Sequence, residues 1–220
     1  MPSFKRLGGP PRLAKEALSK EEKTAAAAIP GAAIELVLRE VWILDNFDNI
    51  LEQLFGGSNE IKLVSMVFDG ASKDPFRFEV GSFPGIKKEK QLPLGDAGLA
   101  LYFSESDALP RFLDWRLLIV EDDSDVRNAG KVIQQIQKTE EYKRIVDVAL
   151  ALADPTWDVV ARIANTVISL VASVMEQNED DIISLYAATY TLIFDHLGVG
   201  AHTFYHEGRT RVKYEIKATL

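Results

Sequence analysis

Apolar positions recur with a period of two from Ala32 to Val120, at spacings of three and four from about Val126 to Glu179, and with a period of two again from Ile182. The outer regimes predict strands and the middle one predicts helices. In the first, Ile34, Leu36, Leu38, Val41 and Ile43 alternate with Glu35, Val37, Arg39 and Glu40, a half-buried strand that runs into the acidic turn 45–49. A second strand, Glu60 to Phe68, stops at Asp69-Gly70, and a third alternates Phe76, Phe78 and Val80 with Arg77 and Glu79 before Gly81 and Pro84-Gly85. Leu99 to Phe103 is a short fourth strand. Trp115 to Val120 is a continuous apolar run, which reads as a central strand, and it ends in the acidic stretch 121–125.

In the middle regime Val132, Ile133, Ile136, Tyr142, Ile145, Val146, Ala149 and Leu150 line one face of a helix. Asp154-Pro155-Thr156 breaks it and caps a second helix, Trp157 to Met175, since proline is tolerated in a first turn and Asp or Thr can accept its free N–H groups. The second helix is apolar on most faces and should lie between the first helix and a sheet. Ile182 to Phe194 is rich in β-branched and aromatic residues, although Ala187-Ala188 leaves a helix open. In 211–216, Val212, Tyr214 and Ile216 face one way and Arg211, Lys213 and Glu215 the other, with turns at Gly198, Gly200 and Glu207-Gly208 between these segments. The expected fold is mainly β (α+β): an antiparallel β-sandwich of about seven or eight strands. It has an inserted two-helix hairpin at about 126–179 and an N-terminal arm. Residues 1–30 form the arm and 31–220 a single domain.

Composition sets limits on this picture. The chain has 220 residues, 47% of them apolar, and no cysteine, so a core can form without disulfides and thiol, zinc-finger and iron–sulfur chemistry is excluded. The net charge of −8 is uneven. Residues 1–30 carry Lys5, Arg6, Arg12, Lys15, Lys20 and Lys23 against Glu16, Glu21 and Glu22, a net of +3, which leaves −11 for the remainder. An acidic body argues against nucleic acid as a partner, because phosphate contacts need clustered Lys and Arg. A basic arm on an acidic body suits docking on a neighbouring subunit, with those six basic residues as the partner-binding set. Pro2, Pro10 and Pro11 interrupt the arm as a signal peptide, and Asp158, Arg162 and Asn165 interrupt 157–175 as a membrane span. A cytoplasmic protein is expected.

Two acidic loops are the first candidate chemistry. One holds Asp45 and Asp48; the other holds Glu121, Asp122, Asp123 and Asp125. Several carboxylates at alternate loop positions can supply the oxygen ligands of calcium. With 44–48, 68–70 continuing through 74–76, and 120–125, the region Ile34 to Asp125 resembles the synaptotagmin-type calcium- and phospholipid-binding β-sandwich domains. The resemblance implies Asp45, Asp48, Asp123 and Asp125 as calcium ligands and a membrane surface as partner. The chain departs from that family in its fifty-residue helical stretch, and in having only Lys87, Lys88 and Lys90 for the family's lysine-rich strand. The alternative, which we favour, is that the aspartates cap turns and the helix starting near Val126.

His196, His202 and His206 fall within eleven residues beside Asp195, a cluster that could suggest zinc. Their spacing fits no single helix face, and they read as surface histidines in loops. No nucleophile elbow, phosphate loop or dinucleotide fingerprint occurs, and Gly56-Gly57-Ser58 precedes a strand where a phosphate loop would need a helix start. The expectation is a non-enzymatic interaction or assembly protein, a homo-oligomer with calcium as its one candidate cofactor. Behind it stand a calcium-dependent binding module and, last, an Asp/His hydrolase.

Overall fold

The computed structural model describes residues 27, 29, 33–45, 59–69, 75–104, 109–122, 129–151, 157–176, 181–206 and 208–219. The strands are β1 (Ala33–Ile43), β2 (Asn59–Phe68), β3 (Phe76–Ile86), β4 (Lys90–Gln91), β5 (Leu99–Phe103), β6 (Phe112–Asp122), β7 (Asp181–Thr191), β8 (Gly200–His206) and β9 (Thr210–Thr219). Between β6 and β7 come α1 (Ala129–Gln137), α2 (Glu140–Ala151) and α3 (Trp157–Glu176); α4 (Leu192–Asp195) and a 3₁₀ turn (His196–Gly198) link β7 to β8.

Two antiparallel sheets make the sandwich. The first runs β4-β1-β9-β8, with β5 also paired to β1, and the second runs β3-β2-β6-β7. Between them lies a core that includes Leu36, Leu38 and Val41 of β1, Leu63 and Val67 of β2, Trp115 and Leu117 of β6, and Tyr214 and Ile216 of β9. The helices cover the outer face of the second sheet, where Val64, Met66, Phe68 and Leu118 meet Ile136, Tyr142, Val160, Val167 and Val171. The layer order is therefore sheet, sheet, helices. It explains why β2 and β6 are apolar on alternate and intervening positions alike: Ile61 to Phe68 and Phe112 to Glu121 are buried throughout. Burying such strands is favourable at about 25 cal/mol per Å² of apolar surface, but any charge they carry must find a partner inside.

The sandwich and its inserted helices agree with the pattern read from the chain, and the boundaries differ for local reasons. The first predicted helix is two, because Lys138 and Thr139 interrupt it. The Thr139 hydroxyl accepts from the Tyr142 amide at 3.2 Å, and Glu140 and Glu141 sit in the first turn of α2, where the helix dipole favours negative charge. The predicted third strand continues through Gly81 to Ile86, paired with β2 across a register shift between Asn59 and Ile61. The strand from Ile182 ends at Thr191, whose hydroxyl caps α4 by accepting from the Phe194 amide at 3.2 Å. The segment read as a turn region with histidines is the strand β8, paired along its length with β9.

In helix α3 the segment Asp158–Met175, at mean hydropathy 1.5, is long and apolar enough to cross a membrane by length and composition. In the fold Val160, Ala164, Val167, Ile168, Val171 and Met175 are buried in the helix–sheet layer, and Asp158, Arg162, Asn165, Thr166, Ser169 and Ser173 are exposed. That one-sided pattern is the pattern of a core helix.

Candidate functional site: a polar network between the sheets

On the side of the sandwich where β7 crosses over to β8, the inter-sheet layer turns polar. Alternation along β7, β8 and β9 aims Ser184, Tyr186, Tyr190, His202, His206, Thr210 and Tyr214 into it. The Tyr190 and Tyr214 hydroxyls lie 2.5 Å apart, Tyr190 Oη is 3.3 Å from His202 Nδ1, and His202 Nε2 is 2.6 Å from the Gly198 carbonyl. A carbonyl only accepts, so Nε2 carries the proton; Nδ1 then accepts from Tyr190, and Tyr190 from Tyr214. His202 also stacks on the Tyr214 ring at 4.9 Å. Burial pushes the Tyr190 hydroxyl up to about 12 and Tyr214 higher still, so both stay neutral donors at any ordinary pH.

A second chain of bonds lies nearby. Tyr186 Oη is 2.6 Å from Thr210 Oγ1 and donates to the Thr210 carbonyl at 3.0 Å; Ser184 Oγ is 2.6 Å from Thr210 Oγ1 and 3.1 Å from His206 Nδ1. A hydroxyl beside an imidazole is the geometry of a nucleophile and its base. Here, however, Ser184 is 1% and His206 5% exposed, and the same hydroxyl is shared with Thr210. What the arrangement does is satisfy polar groups between two sheets, fixing their register and the crossover. Of these residues the sequence pattern placed Tyr214 on an inward face and singled out the histidines. It missed Ser184, Tyr186 and Thr210, whose partners are 24 to 26 positions apart in the chain.

The crossover itself is strained. His196, Leu197 and Gly198 have φ of 47°, 56° and 70°, three successive residues in the left-handed region. Gly198 also has to lack a side chain, because a Cβ there would lie 2.5 Å from the Tyr190 ring. Leu197 is held in place by complete burial in the inter-sheet core.

The sequence-predicted sites are placed as follows. Asp45 lies just beyond β1, its amide donating to the Arg209 carbonyl at 3.2 Å and its carboxylate 2.7 Å from Lys88 Nζ. Asp48, Asp123 and Asp125, and all six basic residues of the arm, lie outside the described residues. Ile29, at the junction of arm and body, is buried in the inter-sheet core. Register puts the ends of β1 and β6 at the same end of the sandwich: Ile43 pairs with Thr210, Thr210 bonds Ser184, and Glu121 pairs with Asp181 at the start of β7. The third segment of the calcium-domain resemblance starts elsewhere. Phe68 pairs with Asp114 at the beginning of β6, which places Asp69 at the opposite end, buried and accepting from Tyr102 Oη at 2.8 Å. Among the described residues no three His, Asp or Glu side chains are grouped to hold a metal ion.

Two further charge groupings complete the electrostatics. The solvent face of β1 and β9 is a ladder: Arg39 to Glu215 at 2.6 Å, Lys213 to Glu40 at 2.8 Å and Arg211 to Glu40 at 3.7 Å, with Arg211 over the Trp42 ring at 4.9 Å. Hydrogen bonds from Lys213 and Trp42 hold the Glu40 carboxyl below its ordinary value. Under the helices, Arg116 Nη2 meets Asp114 Oδ2 at 3.0 Å, and Thr189 Oγ1 donates to the same oxygen at 2.7 Å. No family model matches this chain, and no curated protein matches its sequence.

Proposed function

We propose that this chain is a non-enzymatic interaction or assembly protein, cytoplasmic in setting, whose basic N-terminal arm docks on the acidic surface of a neighbouring subunit. The observation that carries this function is the disposition of the reactive side chains. Ser184, His206, Tyr186, Tyr190, Tyr214 and His202, the described side chains grouped as nucleophilic or acid–base work would need, are hydrogen-bonded between the sheets, where those bonds hold the sandwich together. The charge division of +3 in residues 1–30 against −11 beyond them supplies an attraction between arm and body that salt would weaken. Light scattering on the full chain and on a full-length Lys15→Glu, Lys20→Glu, Lys23→Glu variant tests it. Association in low salt that the variant loses supports arm docking, and association that the variant retains rejects it.

A second function is favoured by one observation, the shared end of the sandwich from which the acidic loops leave β1 and β6. It is a calcium-dependent binding module for a membrane or protein, using Asp45, Asp48, Asp123 and Asp125. Its cost is the Lys88–Asp45 pair, which calcium would have to displace. A melting temperature that rises in millimolar calcium and falls back with chelator supports it, since a ligand that binds only the folded state stabilises it; an unchanged one rejects it.

A further inference from the structure

Between the sheets a run of aromatic side chains in contact ends at a base. Trp115 of β6 is fully buried, and its Nε1 donates to Ser65 Oγ at 2.9 Å. Among the described residues its ring meets two others, Tyr214 with centroids 4.5 Å apart and Phe204 at 6.5 Å. From the Tyr214 hydroxyl the contacts continue to the Tyr190 hydroxyl at 2.5 Å, and from there to His202 Nδ1 at 3.3 Å. Tyr214 and Tyr190 are buried, whereas His202 is half-buried on β8.

Indole and phenol are readily oxidised by one electron, and a phenyl ring is not. A phenol yields its electron easily only if its proton leaves too, because the phenol radical cation is a very strong acid. In a dry interior that proton needs a positioned acceptor. The hydroxyl of Ser65 is no base, so an indole radical cation at Trp115 keeps its proton and stays a strong oxidant. Of its two ring neighbours only Tyr214 can reduce it. The Tyr214 hydroxyl donates to Tyr190, and Tyr190 donates to the bare Nδ1 of His202, whose Nε2–H is taken by the Gly198 carbonyl at 2.6 Å. Burial holds both phenols well above their ordinary value, so neither is ionised beforehand, and electron and proton must leave together.

We propose that Trp115, Tyr214, Tyr190 and His202 form a chain that carries an oxidising equivalent out of the core. A one-electron oxidant takes an electron from Trp115 and leaves its radical cation. Tyr214 gives an electron to Trp115, and its proton passes to Tyr190 Oη as the Tyr190 proton passes to His202 Nδ1. The products are intact Trp115, a neutral tyrosyl radical at Tyr214 and an imidazolium at His202. One positive charge stands on each side of the step. The core indole is restored, and the transfer is independent of how the chain associates.

The test uses the full-length protein carrying Trp42→Phe and Trp157→Phe, which leaves Trp115 as its one tryptophan. An ultraviolet laser pulse ejects an electron from the indole. Nitrous oxide and tert-butanol remove that electron and the hydroxyl radical it yields, transient absorption follows the indole and tyrosyl radicals, and thermal melts confirm folding. The expected result is conversion of the indole radical to a tyrosyl radical at a rate independent of protein concentration and slower in heavy water. His202→Gln leaves Tyr190 an acceptor that cannot hold a proton, and should slow the conversion about 100-fold, the size of a lost positioned base. Tyr214→Phe keeps the ring, removes the donor and should slow it at least as much. Tyr186→Phe alters a buried tyrosine with no ring contact to Trp115 among the described residues, and should leave the rate unchanged. Absence of the conversion in the parent, no slowing in heavy water, or a folded Tyr214→Phe or His202→Gln protein that converts as fast as the parent overturns the proposal. Should a variant unfold, the heavy-water comparison on the parent decides.

Discussion

Asp114→Asn removes one buried ionisation together with the carboxylate that Arg116 pairs with, and because Arg116 does not change charge in the range where Asp114 titrates, the pH dependence of the difference isolates the ionisation. The Asp114 side chain is fully buried on the helix-facing side of β6, with Oδ2 bonded to Arg116 and Thr189 and Oδ1 without a hydrogen-bond partner among the described residues. Burial raises its carboxyl from the ordinary 3.8 to about 6, even though Arg116 and Thr189 pull the other way. Between those two values the folded state holds a proton that the unfolded chain releases. The stability that this proton confers is fully present below the unfolded value and is lost as the pH rises through the folded one. The gap between 3.8 and about 6 corresponds to about 3 kcal/mol. An asparagine at 114 keeps an acceptor for Thr189 and titrates nowhere. Wild type should therefore lose about 3 kcal/mol relative to Asp114→Asn between about pH 4 and pH 7, read from urea unfolding of both proteins at each pH. A constant difference, or one that moves in favour of wild type, would mean that Arg116 outweighs burial and that the carboxylate is ionised throughout.

Other substitutions probe other layers. Trp115→Ala removes a fully buried ring and the bond from its Nε1 to Ser65 Oγ at 2.9 Å, and should cost about 3–5 kcal/mol by urea unfolding. Gly198→Ala puts a Cβ against Tyr190 at a φ of +70° and should lower the melting temperature by more than a surface change does, whereas His196→Gly, at an exposed residue with a φ of 47°, should stabilise by up to about 1 kcal/mol. Glu215→Gln breaks the half-exposed pair with Arg39 and should cost no more than about 1 kcal/mol, an effect that shrinks in high salt.

Much of this fold was legible because burial imposes period. The clean alternation of 211–216 predicts a strand with one wet face, and the Arg211–Glu40 and Lys213–Glu40 pairs occupy that face. The apolar run from Trp115 predicts a central strand, and β6 lies between β2 and β7 in its sheet; that helices cover its other face was not read from the sequence. Features set by tertiary partners were harder to read. β8 alternates only weakly, its glycine and histidines suggest a turn, and its strand character comes from pairing with β9. The polar layer was hidden for the same reason: Ser184 and Thr210 look like ordinary surface residues until the two sheets close over them. The break between α1 and α2 was readable in Thr139 followed by two glutamates, a start signal inside an otherwise continuous apolar stripe.

The claim that this chain works by association is tested most directly by sedimentation velocity of the full-length protein over a wide concentration range at low and moderate salt. The account predicts a mass of at least twice 24.5 kDa that falls on dilution; a single species at 24.5 kDa under every condition would contradict it.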